Sequence, residues 1–226
     1  MRKYAVIVAG GSGSRMGGGI PKQFRSLCGR PVLWWSMKAF KEEDPDTRLV
    51  LVLPEEFISL WKDFYSTLPE SERYEYEIAK GGKTRGESVK NGLSLVEEDT
   101  YVAIHDGARP LVSPATISSG WEKVKEEAAA IPVVSVTDSL RFLVNNTDSE
   151  SVNRDSYVAV QTPQMFKTSL LKNAYDIAGD RVFTDDAAVM ENAGHKVSLY
   201  PGSYDNIKIT NPKDMAIATL LMGKDA

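Results

Sequence analysis

Two cations close behind a glycine-rich turn stand near the start of this chain. The apolar run Val6-Ile7-Val8-Ala9 leads into Gly10-Gly11-Ser12-Gly13-Ser14-Arg15, and Pro21-Lys22 follows after Met16 and three more glycines. Glycine lets the backbone approach a ligand closely, and successive N–H groups in such a loop form an anion-binding nest. A nest of Gly10, Gly11 and Gly13 flanked by Arg15 and Lys22 would hold a polyphosphate, which points to nucleotide chemistry. The competing reading is a plain strand-to-helix turn. Spacing removes two familiar motifs. The dinucleotide fingerprint needs a glycine where Met16 stands, and in the P-loop pattern Ile20-Pro21 puts Lys22 out of register.

Three further clusters carry polar groups where apolar runs end. Gly81-Gly82-Lys83-Thr84-Arg85-Gly86-Glu87-Ser88 is a second glycine turn entering a helical pattern. The N–H groups of Gly81 and Gly82 and the Ser88 hydroxyl suit recognition of a nucleobase, whereas Arg85 reads either as a ligand contact or as a solvated first-turn side chain. Asp106 follows Tyr101-Val102-Ala103-Ile104 and precedes Gly107-Ala108-Arg109-Pro110. A carboxylate at a strand end beside a phosphate site suits Mg²⁺ or a ribose; the same residue also suits a simple turn before Gly107. In Asp205-Asn206-Ile207-Lys208-Ile209-Thr210, a period-2 strand would turn Lys208 away from Ile207 and Ile209. An inward lysine is costly unless a ligand or carboxylate pairs with it.

These groups need a scaffold, and the pattern of apolar residues supplies one. Residues 3–9 and Leu49–Leu53, Glu77–Ala79, Tyr101–Ile104 and Ile131–Val136 read as strands. Between them lie helical patterns over Pro31–Glu43, from Pro54 through Phe57, Leu60, Trp61 and Phe64, along the face Val89, Leu93 and Val96, and over Pro114–Glu127. Alternating strands and helices predict an α/β, Rossmann-like, mostly parallel sheet with helices on both faces and sites at the carboxyl ends of its strands. The 226 residues suit one such domain. Residues 138–156 break the alternation: Ser139–Val144 and Ser151–Arg154 flank a polar turn, which predicts a projecting β-hairpin. Such an arm has too few apolar residues for its own core, so it is expected to form a homodimer; a hairpin folded back on its own domain is the alternative.

Composition narrows the partners. A net charge of −4 gives no global attraction to nucleic acid or an anionic membrane, and no apolar stretch is long enough to span a bilayer. Cys28 is the only cysteine, which excludes an internal disulfide and suits a cytoplasmic protein. With only His105 and His195 beside it, a structural zinc site is not expected.

The glycine loop with Pro21-Lys22-Gln23-Phe24 resembles the signature of sugar-phosphate nucleotidyltransferases. His105–Pro110, Gln161-Thr162-Pro163-Gln164-Met165-Phe166, Thr184-Asp185-Asp186-Ala187 and Asp205–Thr210 narrow the resemblance to the 2-C-methyl-D-erythritol 4-phosphate cytidylyltransferase family. The likeness runs from Tyr4 to about Leu220, with Gly10 where many members have alanine. It implies CTP and a polyol phosphate as substrates, with Mg²⁺. Arg15, Lys22 and Lys208 are then expected to be catalytic, each neutralising charge on the reacting phosphates. Gly10, Gly11, Gly13, Gly81, Gly82, Arg85, Ser88, Asp106, Ala108 and Arg109 are expected to bind substrate, with Asp106 also the candidate metal ligand. Arg154 on the arm and Thr184 are expected to hold the acceptor phosphate. Ribitol 5-phosphate is the alternative acceptor, and a non-catalytic nucleotide-binding module is the alternative of another class.

Overall fold

The central strand, β1 (Lys3–Val8), shows why the sheet is covered twice. Its side chains alternate, and both sets are buried. Ala5 and Ile7 join one apolar cluster, and Tyr4 and Val6 join another on the opposite face. A strand buried on both faces reads as a continuous apolar run, as here. The computed structural model describes residues 1–10 and 20–223.

A short hairpin of β2 (Ser26–Leu27) and β3 (Arg30–Pro31) follows the glycine-rich segment and stands apart from the main sheet. β1 pairs in parallel with β4 (Arg48–Leu53) on one side and β6 (Tyr101–Asp106) on the other, with Val6 opposite Val50 and Ile104. β5 (Tyr76–Lys80) extends the sheet in parallel beyond β4. Past β6 two strands run against the rest. β11 (Gln164–Lys167) runs antiparallel between β6 and β7 (Ala129–Ser135), and β10 (Val158–Val160) continues the same antiparallel edge of β7. β12 (Ser198–Pro201) lies parallel on the other edge of β7. The described residues thus form an eight-stranded, mostly parallel sheet, with the reversal at β10 and β11 not anticipated from the sequence.

Helices α1 (Val32–Glu43), α2 (Ile58–Ser66) and α4 (Pro114–Glu126) cover one face through Leu33, Met37, Phe40, Trp61, Tyr65, Ile117, Trp121 and Val124. Helices α3 (Arg85–Leu93), α5 (Thr168–Ala178) and α6 (Asp186–Asn192) cover the other through Val89, Leu93, Leu171, Tyr175, Val189 and Met190. Each large apolar side chain fully buried this way contributes about 1.5–3 kcal/mol. Close approach of α3 to the sheet requires Gly92, since a Cβ there would lie 2.5 Å from Val6 Cγ1 and 2.9 Å from Val52 Cγ2. In α2 the expected face holds at Trp61, which is buried, and at Phe64, partly buried against the same cluster; Leu60 is exposed, and Tyr65, four residues after Trp61, joins the core.

The predicted arm is present as a separate two-stranded sheet, β8 (Arg141–Leu143) against β9 (Ser149–Ser151). The segment around Lys208 differs from expectation. Residues 206–210 form no ladder, because single bonds to the loop after β6, chiefly Ile209 N–H to the Ala108 carbonyl at 2.8 Å, replace strand pairing. Ile209 is buried and Lys208 turns outward, as the alternation predicts. Helix α7 (Pro212–Met222) closes the described chain, capped by Asn211 and Asp214. Among the described residues no helix is long and apolar enough to cross a membrane.

Candidate active site

The carboxyl ends of β1 and β6 and the turn into α3 enclose a cleft of about 500 Å³. It is lined by Val8, Ala9 and Gly10, by Gly82, Lys83, Thr84, Arg85 and Ser88 of the turn into α3, and by Lys22, Asp106, Ala108 and Lys208. Gly11, Gly13 and Arg15 lie outside the described residues.

Lys22 opens a short 3₁₀ turn, Lys22–Phe24, after Pro21. Its Nζ donates to the Ile209 carbonyl at 2.7 Å, so this cation meets the segment that carries Lys208. Gln23, buried beside it, donates to the Ala9 carbonyl at 2.6 Å and ties the turn to the end of β1. Gln23 stands in the sequence only as part of the motif Pro21-Lys22-Gln23-Phe24, which gives it no role of its own.

The second turn is shaped by its own side chains. Thr84 caps α3 by accepting from the Glu87 N–H. The Ser88 hydroxyl accepts from Gly82 N–H at 3.0 Å and donates to the Thr84 carbonyl at 2.9 Å, which folds the turn over the helix start. Gly82 has to be glycine, because a Cβ would sit 2.3 Å from Glu87 Cβ. Gly81 lies behind it, with its Cβ position 3.5 Å from Gly10 Cα, so the two glycine turns back onto each other.

Asp106, at the last position of β6, is the electrostatic centre. Lys208 Nζ lies 2.8 Å from Oδ2, Arg109 Nε 3.6 Å from the same oxygen, and Arg85 Nε 3.9 Å from Oδ1. Burial acts to raise the carboxyl's pKa, but Lys208, Arg85 and Arg109 outweigh it and hold it at about 2. Asp106 is therefore an anion at neutral pH. Its backbone N–H donates to Thr162 Oγ1 at 3.0 Å, and that hydroxyl lies 3.1 Å from His105 Nδ1. His105 Nε2 faces the Arg109 carbonyl at 3.1 Å, so this nitrogen donates and Nδ1 accepts from Thr162. Burial pushes the His105 pKa down to about 4, in keeping with a neutral ring. Arg109 also donates to the Asn206 carbonyl at 2.7 Å, and buried Asn206 donates to the Thr162 carbonyl at 2.9 Å. Arg109 and Ala108 thus hold the Lys208 segment against the end of β6.

Behind the cleft, Arg85 reaches a second carboxylate. Its NH2 group lies 2.5 Å from Oδ2 of Asp186, which is fully buried at the start of α6. The Tyr175 hydroxyl donates to the other oxygen at 2.5 Å. Asp185 caps α6 through the Ala188 N–H, and Thr184 is exposed on the loop just before it. Arg154 lies elsewhere. It begins a 3₁₀ turn after the arm, is exposed, and donates to the Thr137 carbonyl at 2.5 Å, outside the cleft of its own chain.

A Rossmann-like sheet with the Gly81-Gly82 turn, Lys22, Asp106 and Lys208 gathered at its strand ends is the arrangement of a nucleotide-handling enzyme of the nucleotidyltransferase class. The family model for IspD: 2-C-methyl-D-erythritol 4-phosphate cytidylyltransferase matches residues 4–224. The chain is 44% identical to the 2-C-methyl-D-erythritol 4-phosphate cytidylyltransferase of Phocaeicola vulgatus, over 98% of this chain and 100% of that one. Its fold is similar to the crystal structure of 4-diphosphocytidyl-2C-methyl-D-erythritol synthase from Anaerococcus prevotii, with a TM-score of 0.83 and 25% identity over 98% of each chain. It is also similar to the 2-C-methyl-D-erythritol 4-phosphate cytidylyltransferase from Thermus thermophilus, with a TM-score of 0.77 and 29% identity over 96% of this chain and 97% of that one. The chain belongs to the IspD cytidylyltransferase family.

Proposed function

We propose that this cleft transfers CMP from CTP to 2-C-methyl-D-erythritol 4-phosphate, giving 4-diphosphocytidyl-2-C-methyl-D-erythritol and pyrophosphate for non-mevalonate isoprenoid synthesis. The convergence of Lys22, Asp106 and Lys208 on one cleft, in a chain matched by the family model over residues 4–224, carries this reading. An oxygen of the acceptor phosphate attacks the α-phosphorus of CTP in line, and the bond to the β-phosphate oxygen breaks. No enzyme group becomes covalently attached, so the rate rests on positioning and charge neutralisation. Lys22 and Arg15 neutralise charge on the α-phosphate and the departing pyrophosphate, and Lys208 approaches from the opposite side. Gly10, Gly11 and Gly13 receive the triphosphate; Gly81, Gly82 and Ser88 select cytosine.

Asp106 serves the ribose or a Mg²⁺ ion. Among the described residues no group of three His, Cys, Asp or Glu side chains could hold a metal by itself. One carboxylate facing a triphosphate site nevertheless fits Mg²⁺, which is commonly held by one or two carboxylates and substrate phosphates. When bound, the ion neutralises charge on the phosphate oxygens.

Thr184 and Arg154 hold the acceptor phosphate, and Arg154 does so from a second copy of the chain. The arm displays Phe142, Leu143 and Val144 to solvent. Val158 and Val160 on the edge strand β10 are also exposed. Exposed apolar side chains on the arm and on β10 support an interface there, and a homodimer would cover them while carrying Arg154 toward the neighbouring cleft.

Pyrophosphate release from CTP, followed with 2-C-methyl-D-erythritol 4-phosphate and with ribitol 5-phosphate, tests the reading. Release with the first acceptor and little with the second is expected. Release with ribitol 5-phosphate alone would reassign the acceptor, and none with either would favour a nucleotide-binding module.

A further inference from the structure

We propose that Arg85 is a positioning residue, which ties Asp106 in the nucleotide cleft to Asp186 under the loop that carries Thr184 and thereby sets where the acceptor phosphate is held. The proposal rests on the cytidylyl-transfer reading above. Three observations carry it.

First, the Arg85 guanidinium is already engaged. It spans two carboxylates from different elements, Asp186 at 2.5 Å and Asp106 at 3.9 Å. A planar guanidinium with several fixed N–H donors suits such a bridge better than the point charge of lysine. Second, the two carboxylates depend on it unequally. Asp106 keeps Lys208 and Arg109 if Arg85 is removed. For Asp186, fully buried, Arg85 is the only cation among the described ion pairs. A buried charge that loses its single opposite partner becomes unfavourable, and its surroundings rearrange. Third, the Asp186 end of the bridge is built into the sheet. Gln164 Oε1 accepts the backbone N–H groups of Asp186 and Ala187, each at 3.1 Å, and its Nε2 donates to Asp185 at 3.2 Å. Gln164 sits on β11 opposite Ile104 of β6, two residues before Asp106. Residues 185–187, which directly follow Thr184, are thus held to the strand bearing Asp106 by Gln164, and Asp186 is held to the lining of the cleft by Arg85. The inequality predicts which substrate suffers: loss of the bridge loosens the Thr184 loop more than it loosens Asp106.

Steady-state kinetics of the full-length protein with CTP and 2-C-methyl-D-erythritol 4-phosphate test this, using Arg85→Lys, Asp186→Asn and the pair combined. Each single change is expected to raise KM for the acceptor by about tenfold or more while KM for CTP stays within about twofold, since small misplacements of a positioning group are felt strongly. The double variant is expected to be no worse than the poorer single one, as for two residues acting through one contact. Tyr175→Phe removes only the hydroxyl on Asp186 and gives a milder test should the charge variants fail to fold; a smaller rise in the same KM is expected. A selective rise in KM for CTP would make Arg85 a direct nucleotide ligand and overturn the proposal. So would unchanged kinetics in a folded variant, or losses that multiply in the double variant. Absence of activity in the unaltered protein would instead overturn the cytidylyl-transfer reading itself.

Discussion

The Lys22 ammonium donates to the carbonyl of Ile209 at 2.7 Å, across 187 residues of chain. That contact joins the turn Lys22–Phe24 to the Lys208 segment, so cations from the two ends of the sequence face one cleft. Lys22→Ala should therefore lower kcat/KM by about 10²–10³-fold, the loss typical of removing one preorganised donor to developing negative charge. The fold should persist, since the lysine is only partly buried. Pyrophosphate release beside a thermal melt checks both; a variant with full turnover would remove Lys22 from the reaction.

Two titrations predict how acid unfolds the protein. His105 has a pKa of about 4 in place of the usual 6.5, because it is buried. The unfolded chain binds this proton first as the pH falls, so the stability tied to neutral His105 is complete above 6.5. It is lost between 6.5 and about 4, to the extent of about 3 kcal/mol. Asp106, held at about 2 against an ordinary 3.8, adds a second loss below that window, as the pH falls from 3.8 to about 2. Melting temperature against pH should thus fall in two stages. His105→Gln should flatten the upper stage relative to its own value at neutral pH and leave the lower one. A single stage near pH 4 in the unaltered protein would contradict the neutral buried ring.

Glycine at position 92 makes a packing prediction. Gly92→Ala would drive a Cβ into Val6 and Val52, which belong to the core and cannot swing away. Overpacking of this kind costs about 1–3 kcal/mol, more than the higher helix propensity of alanine returns. A urea titration should show a lower midpoint with an unchanged slope. A raised midpoint would mean that α3 can ride outward from the sheet at little cost.

Local pattern made the site residues legible where chemistry and punctuation coincide. Lys22 follows a glycine run, Asp106 ends an apolar strand, and Lys208 alternates with two isoleucines. Asp186 was hidden for the opposite reason. In sequence it stands only as one residue of the motif Thr184-Asp185-Asp186-Ala187, with no role of its own, and in the structure Asp185 does the capping. Asp186 instead turns inward to Arg85, a partner 101 residues away. The same limit applies to His105, whose tautomer depends on Thr162 and Arg109 together, and to β11, whose antiparallel insertion is set by neighbours on both sides. Leu60 alone departs from the expected α2 face, because Trp61 pairs with Tyr65 four residues on and that aromatic pair takes the core.

The arm supplies the last prediction. Phe142 and Leu143 are 61% and 71% exposed, so neither supports the fold of its own chain. Phe142→Asp combined with Leu143→Asp should leave the melting of the isolated chain nearly unchanged but drive a dimer toward monomer in sedimentation. Activity should fall with dimerisation, since Arg154 would no longer reach a neighbouring cleft. Mixing Arg154→Ala with Lys22→Ala protein gives the sharper readout. If Arg154 acts in the partner's cleft, a mixed dimer contains one cleft with both residues intact, and part of the activity returns. In a mixture at equal amounts about half the dimers are mixed if subunits exchange freely, so recovery to about a quarter of the unaltered activity is expected. No recovery despite demonstrated subunit exchange would place Arg154 and Lys22 in the same chain's site.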